Sequence, residues 1–306
     1  MNDLERAGLV LARDRQRSAD PGEPRPSRDP DLISLRRGAY VSRSHWQEAP
    51  AARKYRYFVE ATVAAMRAVP VLSHESAAVL LGLPIIGGWP DRVHITEAHA
   101  GGGRSSTFIV KHGVRRPPDV QLVSGRAVTT AARTVLDLAR TRSFASALAT
   151  ADFALRTGLT STNDLRADLE HHRGTRGFRQ AQRVVERADG RAESVGESLS
   201  RARMYELGLP VPDLQHDFYD EDGFVGRSDF WWKRLRIIGE FDGKAKYRRD
   251  GYAGEVDPGE IVWIEKRRED RFRPLVARVV RWGWADAWSA DRFRVIMARA
   301  GIRAHG

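Results

Sequence analysis

The chain has 306 residues, 51 Lys+Arg against 40 Asp+Glu, a formal net charge of +11 and no cysteine. The absence of Cys excludes disulfides, thiolate zinc sites, iron–sulfur clusters and cysteine nucleophiles. No apolar run reaches the ~18 residues of a membrane-spanning helix. Met1-Asn2-Asp3-Leu4-Glu5-Arg6 lacks the basic head and apolar stretch of a secretory signal, so the expected location is the cytoplasm. The length suggests about two domains. A basic chain is a candidate for nucleic-acid contact. Only six of the basic residues are Lys (54, 111, 233, 244, 246, 266), however, and the remaining 45 are Arg, as a GC-rich genome produces without selection for binding. The excess is localised: Lys266 to Gly306 holds 11 basic residues against 4 acidic, and the first fifty residues hold 9 against 8.

In chain order, residues 11 to 31 are rich in Pro, Arg, Asp and Ser without apolar periodicity, and read as flexible. Leu32 to Val41 reads as a hairpin turning at Arg37-Gly38. A helix is predicted over 53–69 from the spacing of Tyr57, Phe58, Ala61, Ala64 and Ala65. Ser73 is placed to cap a second helix through Leu81, ended by Gly82 and Pro84. Short strands follow at 93–96, 107–110 and 120–123. Thr129 or Thr130 opens a helix through Arg140, with further helices at 144–157, 162–171 and 176–187. Asp189-Gly190 marks a domain boundary. Beyond it the pattern predicts a helix from Glu197 to Leu207, strands at 214–219, 224–232 and 235–241, a helix at about 260–275, a strand at 276–282 and a helix at 290–300. The Asp220-Glu221-Asp222-Gly223 segment supplies a hairpin turn.

The stretch richest in chemistry is Gly226-Arg227-Ser228-Asp229-Phe230 followed by Ile237-Ile238-Gly239-Glu240-Phe241-Asp242-Gly243-Lys244. Asp229 and Glu240 fall on adjacent strands, where antiparallel pairing sets same-face residues about 5 Å apart. Two such carboxylates repel unless a cation lies between them, and oxygen ligands with spare water positions suit Mg²⁺ or Mn²⁺. Such an ion positions a phosphodiester and activates water. Asp242 alternates with Glu240 onto the same face. Lys244 and Lys246 follow in a chain that uses Lys sparingly, placed to stabilise developing phosphorane charge or to help deprotonate water. The competing interpretation is that acidic residues beside Gly at strand ends are turn and capping residues.

These residues also carry a resemblance. Glu193-Ser194-x-x-Glu197-Ser198, Gly208-Leu209-Pro210-x-Pro212, Arg227-Ser228-Asp229-Phe230-x-Trp232, Gly239-Glu240-Phe241-Asp242-Gly243-Lys244-x-Lys246-Tyr247 and Glu265-Lys266-x-Arg268-Glu269-Asp270 together resemble the very-short-patch-repair-like (Vsr-like) branch of the PD-(D/E)XK nuclease superfamily. The resemblance covers about residues 193–290 and implies a mixed sheet flanked by helices with a divalent-metal site. It implies Asp229, Glu240 and Glu197 as the acidic ligands. The position of the motif's Lys holds Asp242, so Lys244, Lys246 or Lys266 would have to supply that ammonium. Lys266, Arg268 and Asp270 share a helical face, within reach of a phosphate or of one another as ion pairs.

Residues 32–140 resemble the AbiEi-type antitoxin and regulator architecture of type IV toxin–antitoxin systems. The matching pieces are Leu35-Arg36-Arg37-Gly38-Ala39-Tyr40-Val41, Ser73-His74-Glu75-Ser76-Ala77-Ala78-x-Leu80-x-Gly82-Leu83-Pro84, Val93-His94-Ile95-Thr96 and Thr130-Ala131-Ala132-Arg133-Thr134-x-x-Asp137-Leu138. The resemblance makes Arg36 and Arg37 part of a DNA-binding wing, which offers side chains and amides to phosphates. Where two apolar helices should precede the wing stands the Pro/Asp/Arg-rich stretch. His74 reads as a residue that packs or caps locally, with general catalysis as the less favoured role. Arg133 and Asp137 read as an i,i+4 ion pair. Trp282, Trp284 and Trp288 read as filling between the last strand and helix, with base stacking as the alternative.

The expected fold is therefore mixed α/β, in three parts: a flexible or eroded segment (1–31), an AbiEi-like region with a wing remnant (32–190), and a nuclease-fold domain with a mixed sheet flanked by helices (191–306). The functions carried forward are a Mg²⁺- or Mn²⁺-dependent DNA endonuclease and a non-catalytic antitoxin-like regulator that binds DNA and a cognate toxin. A plain protein-interaction module is the third.

Overall fold

The computed structural model describes residues 9–12, 25–97, 105–114, 116–243, 271–272 and 274–304. They form a mixed α/β chain with three sheets. The chain divides into two compact units, Met1–Thr150 with Gly158–Glu186, and Ala151–Thr157 with Arg187–Gly306. Among the described residues no helix is long and apolar enough to cross a membrane.

The first unit starts with β1 (Leu9–Leu11), a 3-10 turn (Pro26–Arg28), β2 (Leu32–Arg36) and β3 (Ala39–Ser42). The predicted hairpin is present, and Gly38 at its turn has φ +79°, a left-handed conformation that glycine adopts without strain. β1 adds to β3 in the antiparallel order β1-β3-β2, so Leu11, expected in a flexible stretch, is in a strand. Helices α1 (Arg43–Glu48), which was not foreseen, and α2 (Ala51–Ala64) follow. α2 ends five residues before the predicted limit, because its last inward-facing residues are Ala61, Thr62 and Val63. One side of α2 carries Ala61 against Leu9, Leu11 and Ala39. Another carries Tyr55, Val59 and Val63 into a cluster with Leu72, Leu80, Val93, Ile95 and Val128.

That second cluster belongs to a five-stranded sheet. Its strands are β4 (Val71–Leu72), β5 (Val93–Glu97), β6 (Ile109–Gly113), β7 (Val120–Val123) and β8 (Arg126–Thr129), in the order β6-β5-β4-β8-β7, with α3 (His74–Leu80) between β4 and β5. β8 was missed: Ser124-Gly125 makes a two-residue turn with positive φ at both positions, and the strand runs directly into α4 (Ala131–Thr141). Thr130 caps α4 by accepting the Arg133 N–H at 3.3 Å. α5 (Phe144–Arg156), α6 (Thr162–His171) and α7 (Phe178–Arg187) complete the element order, the end of α5 passing into the second unit.

The second unit contains α8 (Val195–Glu206), β9 (Asp213–Asp220), β10 (Gly223–Trp232), β11 (Ile237–Asp242), β12 (Arg278–Gly283), α9 (Trp284–Trp288) and α10 (Ala290–Ala300). β9, β10 and β11 form an antiparallel meander, and β12 joins β11 in parallel, giving the order β12-β11-β10-β9. The predicted helix at 260–275 falls almost wholly outside the described residues. One sheet face packs Phe218, Val225, Trp231 and Ile238 against Phe272 and Val276. The other stacks Phe230 on Trp282 at 5.3 Å, with Phe293 meeting Trp282 edge-on. Trp282 donates its indole N–H to Ser200 Oγ at 2.8 Å, which satisfies a buried donor. Only this tryptophan of the predicted trio fills the core; Trp284 and Trp288, on the unforeseen short helix α9, are 41% and 53% exposed. Gly239 faces this stack, where a Cβ would lie 2.6 Å from the Trp282 ring and 2.8 Å from Trp232.

Candidate functional site

The densest gathering of ionisable side chains in the first unit lies where α3 begins beside β5 and β6. In the parallel β5–β6 register His94 pairs with Val110 and Thr96 with His112, so His94 and His112 are diagonal neighbours on one face. His94 Nδ1 is 3.1 Å from His112 Nε2. His74 opens α3 with φ +49°, unusual for a side chain of its size, and stacks on His112 with ring centroids 3.6 Å apart. Its Nδ1 is 3.1 Å from Ser73 Oγ, so the Ser73 hydroxyl serves the imidazole and makes no side-chain cap of α3. Among the described residues, His74, His94 and His112 are the one group of His, Cys, Asp or Glu offering three ligand atoms all within 4.8 Å of one another.

The surroundings hold these rings in place. Tyr55 donates to the Arg92 carbonyl at 2.9 Å, so at the 2.7 Å Tyr55–Ser76 contact the Ser76 hydroxyl is the donor. Ser76 Oγ in turn accepts the His94 backbone N–H at 2.8 Å, pinning β5 to α3. Two carboxylates stand behind the rings. Glu75 Oε1 takes Arg142 at 2.5 Å, while Oε2 lies 3.2 Å from His94 Nδ1. Asp137 Oδ1 takes Arg133 at 3.0 Å and Arg140 at 3.7 Å, while Oδ2 lies 3.8 Å from His74 Nδ1. The Arg133–Asp137 pair is thus the predicted i,i+4 contact. Burial pushes His74 down to about 3 and His112 down to about 3, the neighbouring imidazoles adding to the effect, and burial lowers His94 as well. Burial opposes the charge of Glu75, but His94 and Arg142 hold its carboxyl below the ordinary value. Burial thus disfavours the charged form of all three imidazoles, while the cationic neighbours of Glu75 favour the charged form of its carboxyl.

Sequence reasoning singled out His74 but not His94 or His112. Each sits in a short apolar strand, Val93-His94-Ile95 and Val110-Lys111-His112, which is the signal available in the sequence: a titratable residue inside a strand otherwise built for a core. Their meeting depends on the parallel register, which local spacing does not encode.

In the second unit the β10–β11 register runs from Trp232–Ile237 to Phe230–Gly239, and Asp229 and Glu240 are the residues that follow this last pair on the two strands. Asp229 Oδ2 accepts the Phe241 backbone N–H at 2.8 Å. Glu240 Oε2 is held by Arg281 at 2.9 Å, its parallel neighbour on β12. Glu197 is 1% exposed, and its backbone N–H donates to the N-cap Ser194 Oγ at 3.1 Å. Ser194 donates its hydroxyl to Oε1 at 2.7 Å; Glu193 N–H and Gln215 donate to Oε2 at 2.8 and 3.0 Å. Asp242 is exposed at the end of β11. Lys244, Lys246, Lys266 and Arg268 lie outside the described residues. Arg227 forms a two-pronged cross-strand pair with Asp217 at 2.6 and 3.1 Å, which raises its guanidinium above the ordinary value. Arg36 covers the Phe108 ring at 4.0 Å and donates to Thr62 Oγ1, so it is spent inside the first unit, whereas Arg37 is exposed at the hairpin turn.

Two proteins of Mycobacterium tuberculosis, uncharacterized protein MT2308 of strain CDC 1551 / Oshkosh and uncharacterized protein Rv2248 of strain ATCC 25618 / H37Rv, are each 38% identical to this chain over 123 residues, 40% of this chain and 45% of theirs. The chain thus spans less than half the length of these curated relatives. Residues 70–187, which include all three clustered histidines, match the family model described as AbiEi antitoxin C-terminal domain.

Proposed function

We propose that this chain is an antitoxin-type regulator that binds DNA and a cognate toxin, and that its second unit is a nuclease-like fold used for binding rather than cleavage. The match of residues 70–187 to the AbiEi antitoxin C-terminal domain carries the reading. The three-stranded order β1-β3-β2, with an exposed Arg37 at the turn of the outer hairpin, supports a wing that touches phosphates. The net charge of +11 agrees with a polyanionic partner.

The contact between Arg281 and Glu240 favours binding over cleavage. A guanidinium stands on Glu240 Oε2, where a shared Mg²⁺ or Mn²⁺ would need an open carboxylate, so such an ion has to displace Arg281. The residue two past Glu240 is Asp242 in place of a Lys, which adds negative charge where phosphate would lie. A second reading, a metal-dependent endonuclease, draws on Asp229 and Glu240 standing on the adjacent strands β10 and β11 and on the helix–meander–parallel-strand order of the unit. It requires Lys244, Lys246 or Lys266 to reach the site.

The test is the purified full chain on supercoiled plasmid, duplex, single-stranded DNA and RNA, with Mg²⁺ or Mn²⁺. The expected outcome is salt-dependent duplex binding without nicking, with Arg37→Ala lowering the salt slope by about one. Metal-dependent nicking that Glu240→Ala abolishes would replace this proposal with the endonuclease reading. Absence of duplex binding at low salt would remove the DNA-binding part.

A further inference from the structure

The three histidines have a use beyond packing. We propose that His74, His94 and His112 bind one divalent transition-metal ion of the zinc class, with Asp137 orienting the His74 imidazole and Glu75 beside the ion as a balancing charge.

Geometry and chemistry carry this together. Two nitrogens on a tetrahedral ion at zinc–nitrogen distance lie about 3.3 Å apart. His94 Nδ1 and His112 Nε2 stand 3.1 Å apart, and one nitrogen from each of the three rings falls within 4.8 Å of the others. The remaining adjustment is a turn of His74 out of its stack on His112, a rotation about a broad torsion.

The carboxylates are the independent observation. Glu75 and Asp137 are 4% and 1% exposed, and Glu75 Oε2 and Asp137 Oδ2 are buried without a hydrogen-bond partner among the described residues. Each carboxylate gives its outer oxygen to arginine, Oε1 to Arg142 and Oδ1 to Arg133 and Arg140. Asp137 Oδ2 lies 3.8 Å from His74 Nδ1, which leaves Nε2 of that ring for the ion, as a metal-ligating histidine characteristically turns its second nitrogen to a carboxylate. Glu75 Oε2 lies 3.2 Å from His94 Nδ1, the nitrogen that also faces His112, so this carboxylate stands on the ion's side of the ring and offsets its charge. A buried carboxylate oxygen without a hydrogen-bond partner is costly. A bound ion polarises the His74 imidazole toward Asp137 and gives Glu75 a cation to face.

The donor set selects the ion. Three imidazoles suit Zn²⁺, Co²⁺, Ni²⁺ or Cu²⁺ and offer little to Mg²⁺ or Ca²⁺, which prefer oxygen. With His94 and His112 only half-buried, solvent reaches the cluster and a water completes the coordination. The ion would clamp the start of α3 to β5 and β6.

The experiment uses the full, untagged chain, stripped with chelator and titrated with Zn²⁺ by calorimetry and with Co²⁺ by visible absorption. One equivalent is expected, with the intense ligand-field bands of four-coordinate Co²⁺. Glu75→Gln and Asp137→Asn should weaken binding about 10- to 100-fold. His94→Gln and His112→Gln should remove stoichiometric binding, while His216→Gln, in the other unit, should leave it intact. Circular dichroism checks that each variant is folded. X-ray absorption on the loaded wild-type chain counts imidazoles without any substitution. No stoichiometric uptake by the wild-type chain, uptake that survives loss of His94 and His112 together, or fewer than three imidazoles on the ion would overturn the proposal.

Discussion

Removing Arg201 should destabilise the second unit in a way that depends on pH. Arg201, on α8, and Asp152, near the end of α5, form an ion pair whose side chains are 5% and 0% exposed. Asp152 Oδ1 also accepts the Asp189 N–H at 2.8 Å, and Arg201 donates to the Arg187 carbonyl at 2.6 Å. Burial pushes the Asp152 carboxyl above its ordinary value, with the Arg201 charge pulling back against it. In Arg201→Met the charge that pulls back is gone, the hydrogen bonds from Asp189 and Ser198 remaining, and the balance in the folded state moves further toward the protonated acid. An unfolded aspartic acid titrates near ~3.9, and each pH unit above that adds about 1.4 kcal/mol to the cost of folding with the proton in place. A carboxyl that keeps its proton throughout sets upper limits of about 4 kcal/mol at pH 7 and about 1.5 kcal/mol at pH 5, against the 3–5 kcal/mol typical of breaking a buried pair. The sign follows from the raised folded value: the folded state holds the proton that the unfolded state releases. Stability is fully present below the unfolded value and is lost as pH rises. Urea unfolding of the full chain at pH 7 and pH 5, followed by tryptophan fluorescence, reads this out; Trp231, Trp232, Trp263, Trp282, Trp284 and Trp288 all fall in the second unit. Asp152→Asn/Arg201→Met should recover much of the loss at pH 7. A loss under about 1 kcal/mol, or one equal at both pH values, would refute the reasoning.

Two glycines offer simpler tests. Gly239→Ala places a methyl against Trp282 and Trp232 and should cost about 1–3 kcal/mol in urea unfolding, with loss of near-ultraviolet tryptophan ellipticity. Gly196→Ala, inside α8, gains about 1 kcal/mol of helix propensity, yet its Cβ would lie 2.0 Å from the Phe241 ring. The clash should prevail and lower the urea midpoint; a raised midpoint would show that α8 stands off β11.

Much of the second unit was legible because its signals are local. Asp220-Glu221-Asp222-Gly223 turns one strand into the next, Gly208 and Pro210 stop α8, and α10 spans the predicted 290–300. The Ser194-x-x-Glu197 spacing is legible too: it marks a helix start, where both Glu197 oxygens accept hydrogen bonds. The short helices α1 and α9 carry too few turns for periodicity to register, and β8 hid behind the helix it feeds.

The amino-acid sequence by itself determined the mixed α/β class, the hairpin turn at Arg37-Gly38, the i,i+4 pair of Arg133 and Asp137 and the placing of Asp229 and Glu240 on adjacent strands. Each follows from contacts within a few residues or across one tight turn, where steric and hydrogen-bond rules act without knowledge of the rest of the chain. Tertiary structure alone decided that Arg281 lies on Glu240, and that histidines at positions 74, 94 and 112 converge in front of Glu75 and Asp137. Those meetings rest on two parallel pairings, β11 with β12 and β5 with β6. A parallel register is set by crossover connections and by burial of whole sheet faces, and neither leaves a mark in local spacing.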